Sequence, residues 1–182
     1  MRVISGKAGG RKLKSIKKSN ARPTLDRVKE AMFSMLAPYI PNTAVLDLFA
    51  GFGGLGLEAM SRGADSAVLV EKNRKNVAVI KENINICNFA ENTKLIKDDV
   101  FKFLNYIDEV YDLIIMDPPY EKGYAKKSID IILKRKLVNN NALIVVEHSS
   151  NNYFSNYNKL NIIKEKEYGD TAITIFQYRE EN

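Results

Sequence analysis

The sequence predicts an α/β fold built on a central, mostly parallel sheet of seven strands, preceded by a small basic β-hairpin. From Ala44 onward, short apolar runs alternate with helical patterns. Short apolar strands that alternate with helices indicate a parallel sheet covered on both faces. A glycine-rich turn follows the first of these runs. Near the end of the chain, the tight turn Tyr168–Asp170 joins two strand-like runs, which indicates an antiparallel hairpin at one edge.

The composition is that of a globular protein and excludes several classes. Of the 182 residues, 45% are hydrophobic and 27% are charged, which is ordinary for a folded domain. The longest apolar runs, such as Leu113–Met116, are far too short to span a bilayer, and no apolar signal segment follows the start. One cysteine, Cys87, and one histidine, His148, leave no disulfide and no cluster for a metal. We therefore expect a cytoplasmic protein that uses no metal.

The positive charge is concentrated at the start of the chain. The net charge is +6, and eight basic residues without any acid lie between Met1 and Arg22, which leaves 20 basic against 22 acidic residues beyond. Such a block is typical of nucleic-acid contact, because neutralising phosphates releases counterions. A solvated, partly disordered tail is the alternative. The glycines within Gly6–Gly10, between the runs Arg2–Ser5 and Arg11–Ile16, favour a basic hairpin.

The remaining elements follow from periodicity and capping signals. Thr24, after the break at Pro23, is predicted to cap a helix. Its apolar positions run to Leu36, and it should end near Pro38. The predicted strands are Val45–Phe49, Ala67–Val70, Lys94–Lys97, Asp112–Met116, Ala142–Glu147, Leu160–Lys166 and Thr171–Tyr178. The predicted helices between them are Leu55–Arg62, Arg74–Cys87, Val100–Tyr106 and Tyr124–Lys136.

Candidate ligand-binding residues follow the first three strands, at the edge where open parallel sheets bind ligands. The glycines at 51, 53 and 56 fit a G-x-G-x-x-G turn, which lets a ligand approach the backbone closely. This pattern alone fits NAD or any other adenosine-bearing cofactor, and a turn without a ligand is the alternative. Glu71 can accept two hydrogen bonds from a ribose diol, although a solvated loop acid has the same sequence. Asp98 or Asp99 can accept an adenine amine, and either can cap the next helix.

The most specific signal is Asp117-Pro118-Pro119-Tyr120 after the fourth strand. Two consecutive prolines fix the backbone and remove two donors, which leaves the Asp117 carboxylate and the Pro118 carbonyl as rigid acceptors. Tyr120 adds an aromatic face beside them. Acceptors next to an aromatic ring suit a flat, amino-bearing ring, such as a nucleobase taken out of its stack. A purely structural turn is the alternative.

Motifs along the whole chain resemble one family. The Asp117–Tyr120 motif, together with Asp47-Leu48-Phe49-Ala50-Gly51, is similar to the S-adenosylmethionine-dependent amino-methyltransferases. Four further stretches resemble the RsmD family in register: Met1–Gly6, Arg22–Ala31, Gly56–Ala64 and Tyr168–Thr171. The resemblance implies a Rossmann-like class I methyltransferase fold. It also implies methylation of the N2 amine of one guanine in 16S (small-subunit) ribosomal RNA, within a partly assembled small subunit.

The resemblance implies roles for residues in several of these motifs. S-adenosylmethionine would be bound by Asp47, Phe49, Ala50, Gly51, Phe52, Gly53, Glu71, Lys72, Asp99 and Val100. Within that set, Glu71 would hold the ribose, and Asp99 with the Val100 amide would read the adenine. The guanine amine would be bound at the corner formed by Asp117, Pro118, Pro119 and Tyr120. RNA phosphates would be bound by Arg2, Lys7, Arg11, Lys12, Lys14 and Arg22.

The sequence predicts two structural units and leaves three alternative functions to consider. Residues 1–22 are predicted to form an RNA-binding hairpin extension, and residues 23–182 the methyltransferase domain, acting as a monomer. An adenine-N6 DNA or RNA methyltransferase is the nearest alternative, although the chain lacks room for a separate target-recognition domain. A dehydrogenase using NAD would need a second mononucleotide half. A non-enzymatic RNA-binding module would leave the residues at four strand ends unexplained.

Overall fold

The computed structural model describes residues 1–16, 26–120, 123–151, 154 and 157–180. Its strands are β1 Ala44–Leu48, β2 Ser66–Val70, β3 Thr93–Ile96, β4 Tyr111–Met116, β5 Val138–Ser149, β6 Leu160–Tyr168 and β7 Thr171–Tyr178. Its helices are α1 Asp26–Leu36, α2 Gly54–Ser61, α3 Arg74–Cys87, α4 Val100–Tyr106 and α5 Tyr124–Arg135. A short 3-10 turn, Ala37–Tyr39, follows α1.

The seven strands form one sheet in the order β3-β2-β1-β4-β5-β7-β6. Strands β1 to β5 are parallel, and β7 runs antiparallel to both of its neighbours. The chain runs outward from β1 to β3 and then returns to β4 on the other side of β1. The strand order therefore reverses between β1 and β4, where open α/β sheets place their ligands. The predicted class of fold is confirmed.

Apolar cores lie on both faces of the sheet, because successive side chains of a strand point to opposite faces. On one face, Val45 and Ile115 pack with residues of α1, α2 and α3. On the other face, Leu46 and Ile114 pack with residues of α4 and α5. The central strands are buried on both faces, which explains their nearly continuous apolar sequences.

Two strand ends differ from the prediction in ways that shape the site. β1 ends at Leu48 rather than Phe49, because Phe49 has a left-handed backbone with φ 64° and leaves the strand. β5 is longer than the predicted Ala142–Glu147: Val138 pairs with Tyr111, and the last residues of the strand pair with β7. At its end, β5 continues for three residues past Val146, which pairs with Met116, the last residue of β4.

Residues 1–16 form a hairpin that packs on the domain. One antiparallel bridge joins Arg2 and Lys12, and the Val3 amide donates a hydrogen bond to the Arg11 carbonyl at 3.0 Å. The paired arms are therefore shorter than the predicted runs. Three side chains of the hairpin are buried in the apolar core: Val3, Ala8 and Leu13. The alternative of a disordered tail is wrong for these 16 residues.

A buried carboxylate on α2 anchors this hairpin. Glu58 is 0% exposed and accepts hydrogen bonds from the amides of Ile4 at 2.7 Å and Ser5 at 3.1 Å. It also pairs with Arg62 at 2.8 Å and with Lys29 of α1 at 3.4 Å. Burial lowers the pKa of Lys29, while the Glu58 carboxylate opposes that shift. Glu58 thus joins the hairpin, α1 and α2 in one cluster.

The hairpin approaches α2 so closely that one position requires glycine. Gly6 has φ 85°, and a Cβ built on it would lie 1.9 Å from the Ser61 carbonyl oxygen. The Lys7 amide donates to that same oxygen at 2.7 Å. The predicted boundary after residue 22, the Thr24 cap and the Arg22 contact fall within residues 17–25. They lie outside the described residues and stay predictions.

Cys87 and His148 are both buried, which fits structural roles. Burial raises the pKa of the Cys87 thiol and lowers that of His148. The His148 ring lies 2.8 Å from the Thr174 hydroxyl and 2.9 Å from the Ser149 carbonyl oxygen. In the part of the chain that the structure describes, no helix is long and apolar enough to cross a bilayer, and no three metal-ligating side chains cluster.

Candidate active site

A cavity of about 520 Å³ opens at the edge of the sheet where β1 to β4 end. Every residue predicted for catalysis lines it, and so does every residue predicted for the cofactor except Gly53. Side chains from the ends of β5 and β7 complete its wall. The cavity therefore brings together residues from six strand ends, at the point where the strand order reverses.

The loop after β1 turns through left-handed backbone at Phe49, Gly51 (φ 58°) and Gly53 (φ 82°). A Cβ built on Gly51 would meet no atom closer than 3.9 Å, so this residue leaves open space at the cavity. A Cβ on Gly53 would instead lie 3.1 Å from the Leu69 side chain. Gly53 therefore faces the core, and its role is to form the turn that opens α2.

Asn83 of α3 fixes this loop from behind, a role that the sequence analysis missed. Its side chain is fully buried and donates to the Phe52 carbonyl at 2.9 Å. The same amide group accepts from the Lys14 amide at 2.7 Å and donates to the Lys14 carbonyl at 3.1 Å. Its one signal in the sequence is a polar residue among the apolar positions of α3. Asn83 joins the glycine loop to the hairpin.

Asp47 supplies a buried carboxylate to the cavity. It is 1% exposed, and its Oδ2 accepts a hydrogen bond from the Gly56 amide at 2.8 Å. Burial raises its pKa from 3.8 to about 7; the Gly56 amide opposes this shift and the Glu71 charge adds to it. Among the described residues, no ion pair includes Asp47. A cationic group of a ligand would restore its ionised form.

Two backbone amides hold Glu71 in place. Its Oε2 accepts from the Gly51 amide at 3.0 Å, and its Oε1 accepts from the Asn73 amide at 2.7 Å. Each oxygen has a second lone pair for a ligand hydroxyl. Asn73 in turn caps α3 by accepting from the Lys75 amide at 2.9 Å. Glu71 is thus a fixed side chain of the cavity, unlike a freely solvated loop acid.

The two aspartates after β3 have different partners. Asp99 caps α4 through Oδ1, which accepts from the Phe101 amide at 3.0 Å, and its Oδ2 lies 3.8 Å from the Lys72 ammonium. Asp98 accepts from the Asp99 amide at 2.7 Å and from the Tyr106 hydroxyl at 3.1 Å. Both oxygens of Asp98 are therefore engaged within the chain, whereas the one partner of Asp99 Oδ2 among the described residues is Lys72, in a longer ion pair.

Phe101 and Tyr124, which the sequence analysis did not identify, line the cavity beside these carboxylates together with the predicted Phe49. The rings of Phe49 and Tyr124 are nearly parallel, with centroids 6.0 Å apart, and Phe101 meets Tyr124 edge-on at 5.0 Å. The Lys127 ammonium lies 4.1 Å from the Phe101 ring centroid. Phe101 and Tyr124 both occupy the first turns of helices that start at the cavity. This position at a helix start is the feature by which the sequence could have identified them.

The Asp117–Tyr120 corner forms the opposite wall. Pro118 is buried, and the Tyr120 hydroxyl donates to Glu147 Oε1 at 3.1 Å. The Thr171 hydroxyl lies 3.3 Å from the same phenolic oxygen. Burial raises the pKa of Tyr120, and the Glu147 and Asp117 carboxylates add to the shift. The sequence analysis missed Glu147 as a functional candidate and named Thr171 within a family motif without a role, since neither lies near Tyr120 along the chain.

Five of the six predicted phosphate-binding residues lie on the hairpin, outside the cavity lining. Arg2 pairs with Asp26 at 3.5 Å, and Lys14 pairs with Glu82 of α3. All four side chains are largely exposed, so these pairs are weak and can exchange for phosphate.

Three more hairpin residues carry the remaining charge. Arg11 donates to a backbone carbonyl of α3. Lys7 and Lys12 are exposed and take part in no ion pair with another described residue. Their ammonium groups are therefore available to an anionic partner, whereas Arg22 lies outside the described residues.

Comparison with known sequences identifies the family. A family model described as "Conserved hypothetical protein 95" matches residues 1–177. Ribosomal RNA small subunit methyltransferase D of Buchnera aphidicola subsp. Acyrthosiphon pisum is 37% identical over 146 residues, covering 80% of this chain and 76% of that protein. The protein of the same name from Escherichia coli (strain K12) is 35% identical over 159 residues, covering 84% and 76%.

Solved structures agree with this relationship. The yhhF protein of Escherichia coli superposes with a TM-score of 0.91 at 32% identity, covering 100% of this chain and 99% of that one. An RNA methyltransferase from Salinibacter ruber, solved with S-adenosyl-L-homocysteine, gives a TM-score of 0.69 at 15% identity, covering 88% and 96%, which shows a shared fold. The motifs, the fold and the relatives agree, and the chain belongs to the RsmD family of ribosomal RNA methyltransferases.

Proposed function

We propose that the protein transfers a methyl group from S-adenosylmethionine to the N2 amine of a guanine in 16S ribosomal RNA. The observation that carries the proposal is the cavity itself. It joins three carboxylates suited to an adenosyl donor to an Asp-Pro-Pro-Tyr corner suited to an amine. Family membership supports ribosomal RNA as the substrate, and the family resemblance favours a partly assembled small subunit. We expect the protein to act as a monomer.

The residues on the β1 to β3 side of the cavity fit the methyl donor. Asp47, buried without a cationic partner among the described residues, suits the donor's ammonium group. Glu71 suits the ribose hydroxyls, because each of its oxygens keeps a lone pair beside its backbone bond. Asp99 and the Val100 amide suit the adenine edge, with Lys72 held beside Asp99. When bound, the donor supplies an electrophilic methyl group on a sulfonium.

The residues after β4 fit the acceptor amine. An exocyclic amine is a poor nucleophile, because its lone pair is delocalised into the ring. Asp117 and the Pro118 carbonyl would accept its two N–H groups and so localise the lone pair toward the donor side of the cavity. Pro119 fixes the backbone of this corner, and Tyr120 would stack on the ring. Positioning of this kind supplies much of the rate of a bimolecular displacement.

The reaction requires the removal of one proton, which the amine loses after methyl transfer. The amine is neutral before transfer, and the charge that it gains is lost with a proton afterwards. No strong base is therefore required before transfer. The proton leaves a nitrogen that is already hydrogen-bonded to the Asp117 carboxylate, which would hold it on the way to solvent.

The reaction product tests the proposal. We would incubate the protein with S-adenosylmethionine labelled in its methyl group and with small ribosomal subunits that lack their own methylation, and then digest the RNA to nucleosides. Label in N2-methylguanosine is the expected result. Label in N6-methyladenosine would instead support the alternative function, adenine-N6 methylation, with the same donor and the same Asp117–Tyr120 corner. An absence of donor binding would overturn the proposal.

A further inference from the structure

The phenol of Tyr120 is tied to two strands that the proposed chemistry does not otherwise use. Glu147 belongs to β5 and Thr171 to β7, and the two side chains are 4% and 6% exposed. Their oxygens lie 3.1 Å and 3.3 Å from the Tyr120 hydroxyl oxygen. All three residues line the cavity. The hydroxyl therefore meets its partners at the wall where the base would stack.

The chemistry of the three groups sets the direction of these bonds. A carboxylate can only accept, so the single phenolic proton of Tyr120 is donated to Glu147. The phenolic oxygen is then left as an acceptor for the Thr171 hydroxyl. The chain of bonds runs from Thr171 through Tyr120 to Glu147, and each member supports the next. Both partners belong to the sheet, whereas Tyr120 lies on the loop after β4.

We propose that Glu147 and Thr171 are positioning residues, which fix the ring of Tyr120 in the plane against which the target guanine stacks. This inference rests on the proposed function and adds the residues that orient the base. A phenol held only at its loop could tilt, and tilt would move the stacked amine away from Asp117. Two bonds to separate strands remove that freedom before the base arrives, so the ring is preorganised.

A double-mutant cycle tests the link between Glu147 and the hydroxyl. Tyr120→Phe keeps the ring and removes the phenol, and Glu147→Leu removes the acceptor. Each change should lower the single-turnover rate constant of methyl transfer by about 10- to 100-fold, with the dissociation constant of S-adenosylmethionine within about twofold. The double variant should be no slower than the slower single variant, because both remove the same bond. Multiplied effects, or a full rate in Tyr120→Phe, would overturn the inference.

Thr171 offers a matched pair of variants. Thr171→Val keeps the shape and removes the hydroxyl, and we expect its rate constant to fall by about 3- to 10-fold. Thr171→Ser keeps the hydroxyl and should stay within about twofold of the unchanged protein. If both variants lost the same amount, Thr171 would serve packing alone, and its positioning role would be wrong.

An NMR measurement tests the anchoring of Tyr120 without a methylation assay, and so separates this inference from the proposed function. It uses milder substitutions, and so still applies if Glu147→Leu fails to fold. Tyrosine labelled with carbon-13 at the ζ position reports on each phenol by NMR, and the Tyr120 resonance is assigned by its loss in Tyr120→Phe. Glu147→Gln and Thr171→Val should each shift that resonance, whereas Thr171→Ser should leave it unmoved. A resonance unaffected by both changes would contradict the anchoring. Failure of the unchanged protein to methylate RNA would instead overturn the proposed function.

Discussion

The two halves of the cavity are built from different parts of the chain. The donor half, which follows β1, β2 and β3, is held by bonds within residues 47–101: Asp47 to Gly56 spans nine residues, Gly51 to Glu71 spans 20, and Phe52 to Asn83 spans 31. The acceptor half, which comprises the Asp117–Tyr120 corner with its partners on β5 and β7, is held by bonds that span 27 and 51 residues. One half is therefore assembled from one continuous stretch of the chain, and the other only when the later strands β5 and β7 join the sheet.

This difference predicts that one half of the cavity governs donor affinity and the other governs the rate of methyl transfer. Bonds from backbone amides fix Asp47, Glu71 and Asp99 in the donor half, so substitutions there should act on donor affinity. In our proposal the acceptor half would orient an amine through groups from three strands, so substitutions there should act on the rate of transfer. Variants that affect both quantities together would show that the division is false.

The largest effect is expected from Asp117→Ala. The variant removes one of the two proposed acceptors for the amine and should lower turnover on the order of 10³-fold. The dissociation constant for S-adenosylmethionine, measured by calorimetry, should stay within a few-fold. Asp117→Asn keeps a carbonyl acceptor and should lose less. Joint loss of turnover and donor affinity would place Asp117 in the donor half or in the structural framework.

A smaller effect, on donor affinity, is expected from Asp47→Asn. Removing a buried charge that would bind the donor's ammonium should weaken affinity by about 10- to 100-fold, since hydrogen bonds between charged groups contribute about 1.5–3 kcal/mol. The single-turnover rate constant at saturating donor should change little. A variant that binds the donor normally but transfers slowly would reverse the assignment.

The pH dependence of donor affinity and of stability provides a second test of Asp47. The pKa of Asp47 is raised from 3.8 to about 7 in the folded protein. Donor affinity should therefore weaken as pH falls below about 7, by up to about tenfold per unit, because binding to the ammonium requires the ionised form. The folded state binds the Asp47 proton more tightly than the unfolded state, so the residue destabilises the free protein as pH rises from about 4 to 7. Asp47→Asn should flatten both dependences.

The smallest effect is expected outside both halves, at Lys7 and Lys12 of the hairpin. Replacing both with Gln should reduce the slope of log RNA affinity against log salt by up to about 1.4–1.8, because each lost phosphate contact removes about 0.7–0.9. Donor affinity should not change. Lys134→Gln with Lys136→Gln, at the far end of α5, is the charge-matched control. An equal change in both pairs would remove the hairpin from the RNA interface.

The range of contacts also explains what the sequence could predict. The order of strands and helices, the glycine loop, Glu71, Asp99 and the Asp-Pro-Pro-Tyr corner carry local signals, such as turn chemistry and position after a strand. Glu147 carries none, because a strand-end glutamate becomes informative only once β5 lies beside β4. Its partner Thr171 is brought in by the antiparallel β7. Long-range pairing cannot be derived from the periodicity of a single segment.

The N-terminal hairpin likewise combines features that the sequence predicts with contacts that it does not. Its charge and glycines predicted a turn and a nucleic-acid contact, but its anchoring depends on residues far along the sequence. Glu58, 54 residues after Ile4, holds its backbone, and Asn83 lies 69 residues after Lys14. A buried carboxylate on α2 has no sequence signature, because it is identified by what surrounds it in the fold. The fold thus joins the basic hairpin to the loop that would bind the donor.

A crystal structure of the protein with S-adenosyl-L-homocysteine would test the division of the cavity most directly. We expect its ribose hydroxyls on Glu71, its ammonium beside Asp47, and its sulfur facing the space between Asp117 and Tyr120. The acceptor half should then be left clear for a base. A product bound across the Asp117–Tyr120 corner, or with its sulfur turned away from that corner, would contradict the account.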